Sequence, residues 1–178
     1  MKNFVFLLLL SVIACKKDYH FPEITQEGKG TFGCIIDGKK YIPERQDFPF
    51  GRKVISTDFY PLNEGQHDYL VISVSNDKTG NFGHFKITYY GPFDGIRAGT
   101  YNVTDPTIIG GGFSAENKRG HFLQEQYSTA ENAEGTITIL KFDRKDKIIS
   151  GTFEFPMFQN ETGERIEVTE GRFDLKIE

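Results

Sequence analysis

The chain has 178 residues, 38% of them hydrophobic and 26% charged, with 21 Lys+Arg against 25 Asp+Glu and a formal net charge of −4. That length supports one domain with its own core. The mildly acidic balance supplies no basic face to neutralise phosphates, so nucleic acid is not an expected partner, and it gives no electrostatic attraction to an anionic lipid surface.

Met1-Lys2-Asn3 is a short basic start, Phe4–Ala14 is an apolar run, and Cys15 is followed at once by the charged Lys16-Lys17-Asp18. A bilayer core about 30 Å thick takes roughly 20 apolar residues as a helix, so this run is too short to span one. The basic n-region, the apolar h-region and a small residue before the cut are the parts of a secretory signal. A cysteine directly after the cut is what separates a lipoprotein signal from an ordinary one. Residues 1–14 are therefore expected to be cleaved, and Cys15 to be lipidated as the first residue of the mature chain. Each buried CH₂ contributes about 0.8 kcal/mol, so two or more acyl chains hold stably where one holds marginally. The membrane is thus an expected partner through the lipid on Cys15. The expected location is the outer membrane, on its periplasmic or its exposed face. Cleavage removes one basic residue, Lys2, and leaves 20 basic against 25 acidic side chains.

Lys16–Gly28 is polar, carries Pro22 and has no sustained period. Residues 15–28 read as the lipidated cysteine and a polar tether, with a reach of roughly 40 Å when extended, and residues 29–178 as one all-β domain. Candidate strands are Thr31–Asp37, Lys40–Pro43, Val54–Tyr60, Tyr69–Ser75, His84–Tyr90, Thr100–Val103, Gly120–Tyr127, Gly135–Phe142, Ile148–Phe155 and Ile166–Ile177. They are rich in the β-branched and aromatic residues that fit a pleated, half-buried surface. Turn clusters such as Asp37-Gly38, Thr79-Gly80-Asn81, Gly91-Pro92 and Thr162-Gly163 separate them. The fold class implied is all-β, an antiparallel β-sandwich or open barrel of about 8–10 strands.

Cys34 is the second of the two cysteines. With Cys15 taken by lipid it forms no intramolecular disulfide. It is expected to be a small buried hydrophobe, since no histidine stands near it to activate a thiolate. Gly110-Gly111-Gly112 lacks the Lys-Ser/Thr of a phosphate loop. It reads as a flexible connection within a long irregular stretch, Thr104–Arg119, and such stretches are where binding surfaces are often found. Short helical segments are conceivable at Ala115–Arg119 and Thr129–Ala133. The last third is the clearest part. Phe153, Phe155, Phe173, Leu175 and Ile177 alternate with polar residues and take the core side of a three-stranded C-terminal meander. In its first strand Ile137 and Ile139 are odd while Phe142 is even, which predicts a bulge near Leu140.

The histidines are His20, His67, His84 and His121, none at zinc-site spacing. Asn76-Asp77-Lys78-Thr79-Gly80-Asn81 has too few carboxylates for a calcium loop. No metal, no cofactor and no catalytic residue is expected, and any choice of a carboxylate pair among 25 acids would be empty. Aromatics cluster near turns at Phe48-Pro49-Phe50, Phe59-Tyr60-Pro61 and Tyr89-Tyr90-Gly91-Pro92-Phe93. Tyr89, Tyr90 and Phe93 are the candidate ligand-binding residues. The absence of Trp weighs against a sugar platform.

Gly30-Thr31-Phe32 with Ile35-Ile36-Asp37-Gly38-Lys39-Lys40-Tyr41, Ile148–Phe155 and Val168–Asp174 together resemble small lipoproteins of Bacteroidota that share one all-β domain of unknown function. The resemblance implies a β-sandwich-like domain on a lipid anchor and brings no catalytic residues. The function expected is a non-enzymatic envelope lipoprotein with a binding or structural role, whose partner is an envelope protein or a glycan. The alternatives are a carbohydrate-binding module using the turn-proximal Tyr and Phe, and a hydrolase or hydrolase inhibitor.

Overall fold

The computed structural model describes residues 20–43, 54–60, 69–76, 83–90, 96–103, 109–115, 125–130 and 133–178. Residues 1–19, with the expected signal segment and Cys15, lie outside these residues. The described residues hold eleven strands and no helix: β1 Thr31–Ile36, β2 Lys39–Tyr41, β3 Ile55–Tyr60, β4 Tyr69–Asn76, β5 Gly83–Tyr90, β6 Gly99–Asn102, β7 Ile109–Ala115, β8 Glu125–Ser128, β9 Thr136–Asp143, β10 Ile148–Gln159 and β11 Arg165–Lys176. All pairings are antiparallel, in the order β2-β1-β11-β10-β8-β7-β5-β4-β3, with β9 on β10 and β6 on β9. The sheet does not close into a barrel.

The long strand β10 makes the fold two-layered. Along one edge, Ile148–Glu154 pair with β9, whereas Phe158–Gln159 pair with β8. Pro156, which has no N–H to give a ladder, sits in the gap where the neighbour changes. The strand thereby passes from one layer to the other, and β3-β4-β5 folds over β1-β11-β10-β9. The layers meet through aromatic rings. Phe85 of β5 lies 5.4 Å from Phe32 of β1 and 5.6 Å from Phe153 of β10, and Phe153 lies 5.5 Å from Phe32. Each such pair adds about 0.5–1.5 kcal/mol beyond the burial of its area. Tyr41 closes the cluster and donates its hydroxyl to the Val74 carbonyl at 3.3 Å.

The C-terminal meander is present as β9-β10-β11, and Phe153, Phe155, Phe173, Leu175 and Ile177 are all buried. Ser150 pairs with Lys141 and Gly151 with Ile139, so Leu140 is the extra residue of a bulge in β9. A second bulge lies in β11. There Phe153 faces Gly171 and Phe155 faces Val168, with Glu170 at φ 50. Gly171 and Gly151 are required by close approach rather than by a turn. The Phe153 ring covers Gly171, and the Phe173 ring comes within 2.7 Å of where a Cβ on Gly151 would stand. The Asp37-Gly38 turn has positive φ at both residues and joins Ile36 to Lys39, the two-residue hairpin geometry that this dipeptide favours.

Three expectations are corrected. Gly110-Gly111-Gly112 is not a flexible connection but the middle of β7, paired with β5 on one side and β8 on the other. Glycines carry no side-chain pattern, so a strand made of them is defined only by its ladder partners. Thr129 and Ala130 are not helical, and Ala115 ends a strand. The strand expected at Gly120–Tyr127 is found as Glu125–Ser128, with residues 120–124 outside the described set.

Candidate functional site

Cys15 and Lys16–Tyr19 lie outside the described residues, but the chain that follows them is bound to the sheet. Period two in β11 turns Arg172, Asp174 and Lys176 away from the core. Residues 21–29 lie across them as a strap. Asp174 accepts four hydrogen bonds from it: Thr25 Oγ1 at 2.5 Å and the amides of Glu27, Gly28 and Lys29 at 3.1, 2.7 and 3.3 Å. Arg172 donates to the Pro22 carbonyl at 3.0 Å and lies 4.3 Å from the Phe21 ring centroid. Pro22 packs where a Cβ on Gly33 would stand, at 2.8 Å. Asp174 is wholly buried beneath the strap. Burial by itself would raise its pKa; the Thr25 hydroxyl and the Gly28, Glu27 and Lys29 amides outweigh that and hold the carboxyl below its ordinary value. The stretch read as a tether is therefore part of the folded domain from Phe21 onward.

Cys34 is wholly buried and unpaired as a disulfide, as its sequence setting suggested. Burial raises its thiol pKa far above the ordinary value, which leaves it protonated and unreactive. His20 is exposed, and His84 stands opposite Ser75 and Ser114 in the ladder, while His67 and His121 lie outside the described residues. No group of three or more His, Cys, Asp or Glu that could hold a metal exists among the described residues. Beside the strap a shallow cleft of about 270 Å³ is lined by Thr136, Thr138, Thr152, Glu170 and Arg172. One of its hydroxyls, Thr138 Oγ1, is paired across strands with Thr100 Oγ1 at 3.0 Å.

The turn-proximal aromatics divide into two environments. Phe59 packs at the rim of the core, 5.3 Å from Phe142, with the Arg144 guanidinium 5.2 Å from its centroid. Its neighbour Tyr60 points outward and is 51% exposed, one of two large hydrophobic side chains exposed among the described residues. Adjacent positions of a strand belong to opposite faces. Tyr89 accordingly stands opposite Leu70, a core rung, whereas Tyr90 stands opposite Tyr69. Tyr69 in turn stands opposite Tyr60, and those two rings lie 5.8 Å apart at 35°. One rung at the end of β3-β4-β5 therefore carries Tyr60, Tyr69 and Tyr90. Phe93 and Phe48-Pro49-Phe50 lie outside the described residues.

From sequence, Tyr60 stands among the turn-proximal aromatics but not among the candidate ligand-binding residues Tyr89, Tyr90 and Phe93, and Tyr69 is not singled out. The signal for them is the hairpin register. Tyr60 ends β3 and Tyr69 begins β4, so antiparallel pairing of these two consecutive strands sets them opposite each other. Asp174 was missed for a different reason. Its alternation with Phe173 and Leu175 marks it as outward-facing, and nothing local shows that the outside is covered by residues some 145 positions away.

No curated protein and no solved structure matches the chain. Residues 63–175, more than half of it and including β4 through most of β11, match a domain of unknown function, DUF6252. The chain belongs to the DUF6252 family.

Proposed function

We propose that this is a lipid-anchored cell-envelope protein whose β domain binds a partner and does no chemistry of its own. The observation that carries the anchor is the series Lys2, Phe4–Ala14 and Cys15, in which a short apolar run ends at a small residue and a cysteine. The resemblance to small lipoproteins of Bacteroidota supports it, and with it a place on the outer membrane. Because the strap binds the domain from Phe21, six residue steps separate Cys15 from the folded part. At about 3.3 Å per residue they reach roughly 20 Å, half of what the whole polar stretch would allow. The domain would therefore be held close to the bilayer. Binding is favoured over catalysis because the buried thiol is held protonated, the buried carboxylate of Asp174 is occupied by the strap, and the rings of Tyr60 and Tyr69 lie side by side on one outward rung.

The anchor is tested by Cys15→Ser with metabolic lipid labelling and membrane fractionation. The variant is expected to lose the label and move to the soluble fraction, and a label that persists overturns the assignment. Turnover of any substrate by the purified protein that a point mutation abolishes would overturn the non-enzymatic part.

A further inference from the structure

The rungs next to the tyrosines are polar or bare. Asp58, Val71, Thr88 and Gly110 form one, and Ser56, Ser73, Lys86 and Gly112 the next. Lys86 is exposed, Ser56, Asp58, Ser73 and Thr88 are half-buried, and Val71 is the one apolar side chain there, at 8% exposure. Gly110 and Gly112 of β7 stand beside Thr88 and Lys86 in these rungs and bring no side chain of their own. Glycine inside a strand often marks a place where another molecule approaches the backbone closely. Asp58 and Lys86 are of opposite sign, so these rungs carry no net charge.

The geometry points to this outer face of β3-β4-β5 as a binding platform for a neutral polysaccharide, with sugar rings lying on Tyr60 and Tyr69 and hydroxyls reaching Asp58, Thr88 and Lys86. Tyrosine offers a flat apolar ring with a polar tip. A pyranose has the matching form, with C–H groups on its faces and hydroxyls around its edge. A few polar side chains beside an aromatic surface then fix its orientation. The centre of a protein–protein interface would be depleted of charge and more apolar, whereas these rungs hold three hydroxyls, Asp58 and Lys86 beside the one apolar side chain of Val71.

This inference rests on the reading of the domain as a binding module, and one assay separates the two. The full-length lipidated protein in detergent is run in affinity gels holding xylan, mannan, β-glucan or dextran, and is sedimented with cellulose, chitin and peptidoglycan sacculi, while released reducing ends are measured. The expected result is retention by at least one of these, weakened tenfold or more in Tyr60→Ala and Tyr69→Ala, largely kept in Tyr60→Phe, and without release of sugar. Tyr60→Ala changes the more exposed ring and keeps the test readable should Tyr69→Ala destabilise the sheet. Retention by none, or retention that both alanine variants leave unchanged, overturns the glycan site and leaves the binding-module reading standing. Release of reducing ends that a point mutation abolishes overturns the module reading and the inference with it.

Discussion

The two outer faces of the sandwich-like fold are built from the same kind of strand, yet they end differently. On β11 the outward residues Arg172 and Asp174 lie beneath the chain's own strap, and four donors converge on one carboxylate. On β3-β4-β5 the outward residues include a tyrosine rung of which Tyr60 is half exposed. The first face has found its partner within the molecule; the second presents groups suited to a partner from outside. Alternation along a strand assigns a residue to the outside, and only tertiary structure says whether the outside is water, chain or ligand.

The largest effect is expected from unmaking the strap. Asp174→Ala leaves the Thr25 hydroxyl and three amides without their acceptor, and should destabilise the protein by about 3 kcal/mol, read as a lowered denaturation midpoint. The pH dependence has a defined sign. Because the folded-state pKa of Asp174 lies below its ordinary value, the stabilisation is complete above about pH 4, where an unfolded aspartate is ionised. It is lost as pH falls through the folded-state value. Stability measured from pH 6 downward should show this acid loss in the wild type and less of it in Asp174→Asn.

Gly33→Val attacks the same face from β1. Its side chain would meet Pro22 and Phe21, and overpacking of this kind costs about 1–3 kcal/mol. Limited proteolysis should then cut within residues 20–29 before the sheet unfolds. Ser150 lies opposite Asp174, and its buried hydroxyl has no hydrogen-bond partner among the described residues. Ser150→Ala removes an unsatisfied polar group and should be neutral or stabilising by up to about 1 kcal/mol, measured by thermal melting. On the other face, Tyr60→Ala loses one cross-strand ring pair with Tyr69 and should cost no more than about 1 kcal/mol. A larger loss would mean that the ring serves the fold.

The sequence made some of this legible for physical reasons. Where hydrophobicity alternates with period two, as in Ile148–Phe155 and Arg172–Ile177, the strands and their core faces follow directly, and the odd-to-even slip between Ile139 and Phe142 locates the Leu140 bulge. Cys34, within an apolar run and far from any histidine, was legible as core. Where the information is relational it was hidden. β7 is a strand because β5 and β8 flank its glycines. The strap is bound because Asp174 comes to lie beneath Thr25. Tyr60 and Tyr69, at the facing ends of consecutive strands, are joined by Tyr90 in one rung only through ladder register.

Hydrogen exchange of the full-length protein, followed by mass spectrometry with and without a retained polysaccharide, tests the contrast between the two faces most directly. Residues 25–29 should be protected in the free protein and unchanged by the ligand, while added protection appears at the edge strand β3 around Asp58–Tyr60. Free exchange across 25–29, or ligand protection that falls on the strap instead of β3, would contradict the account.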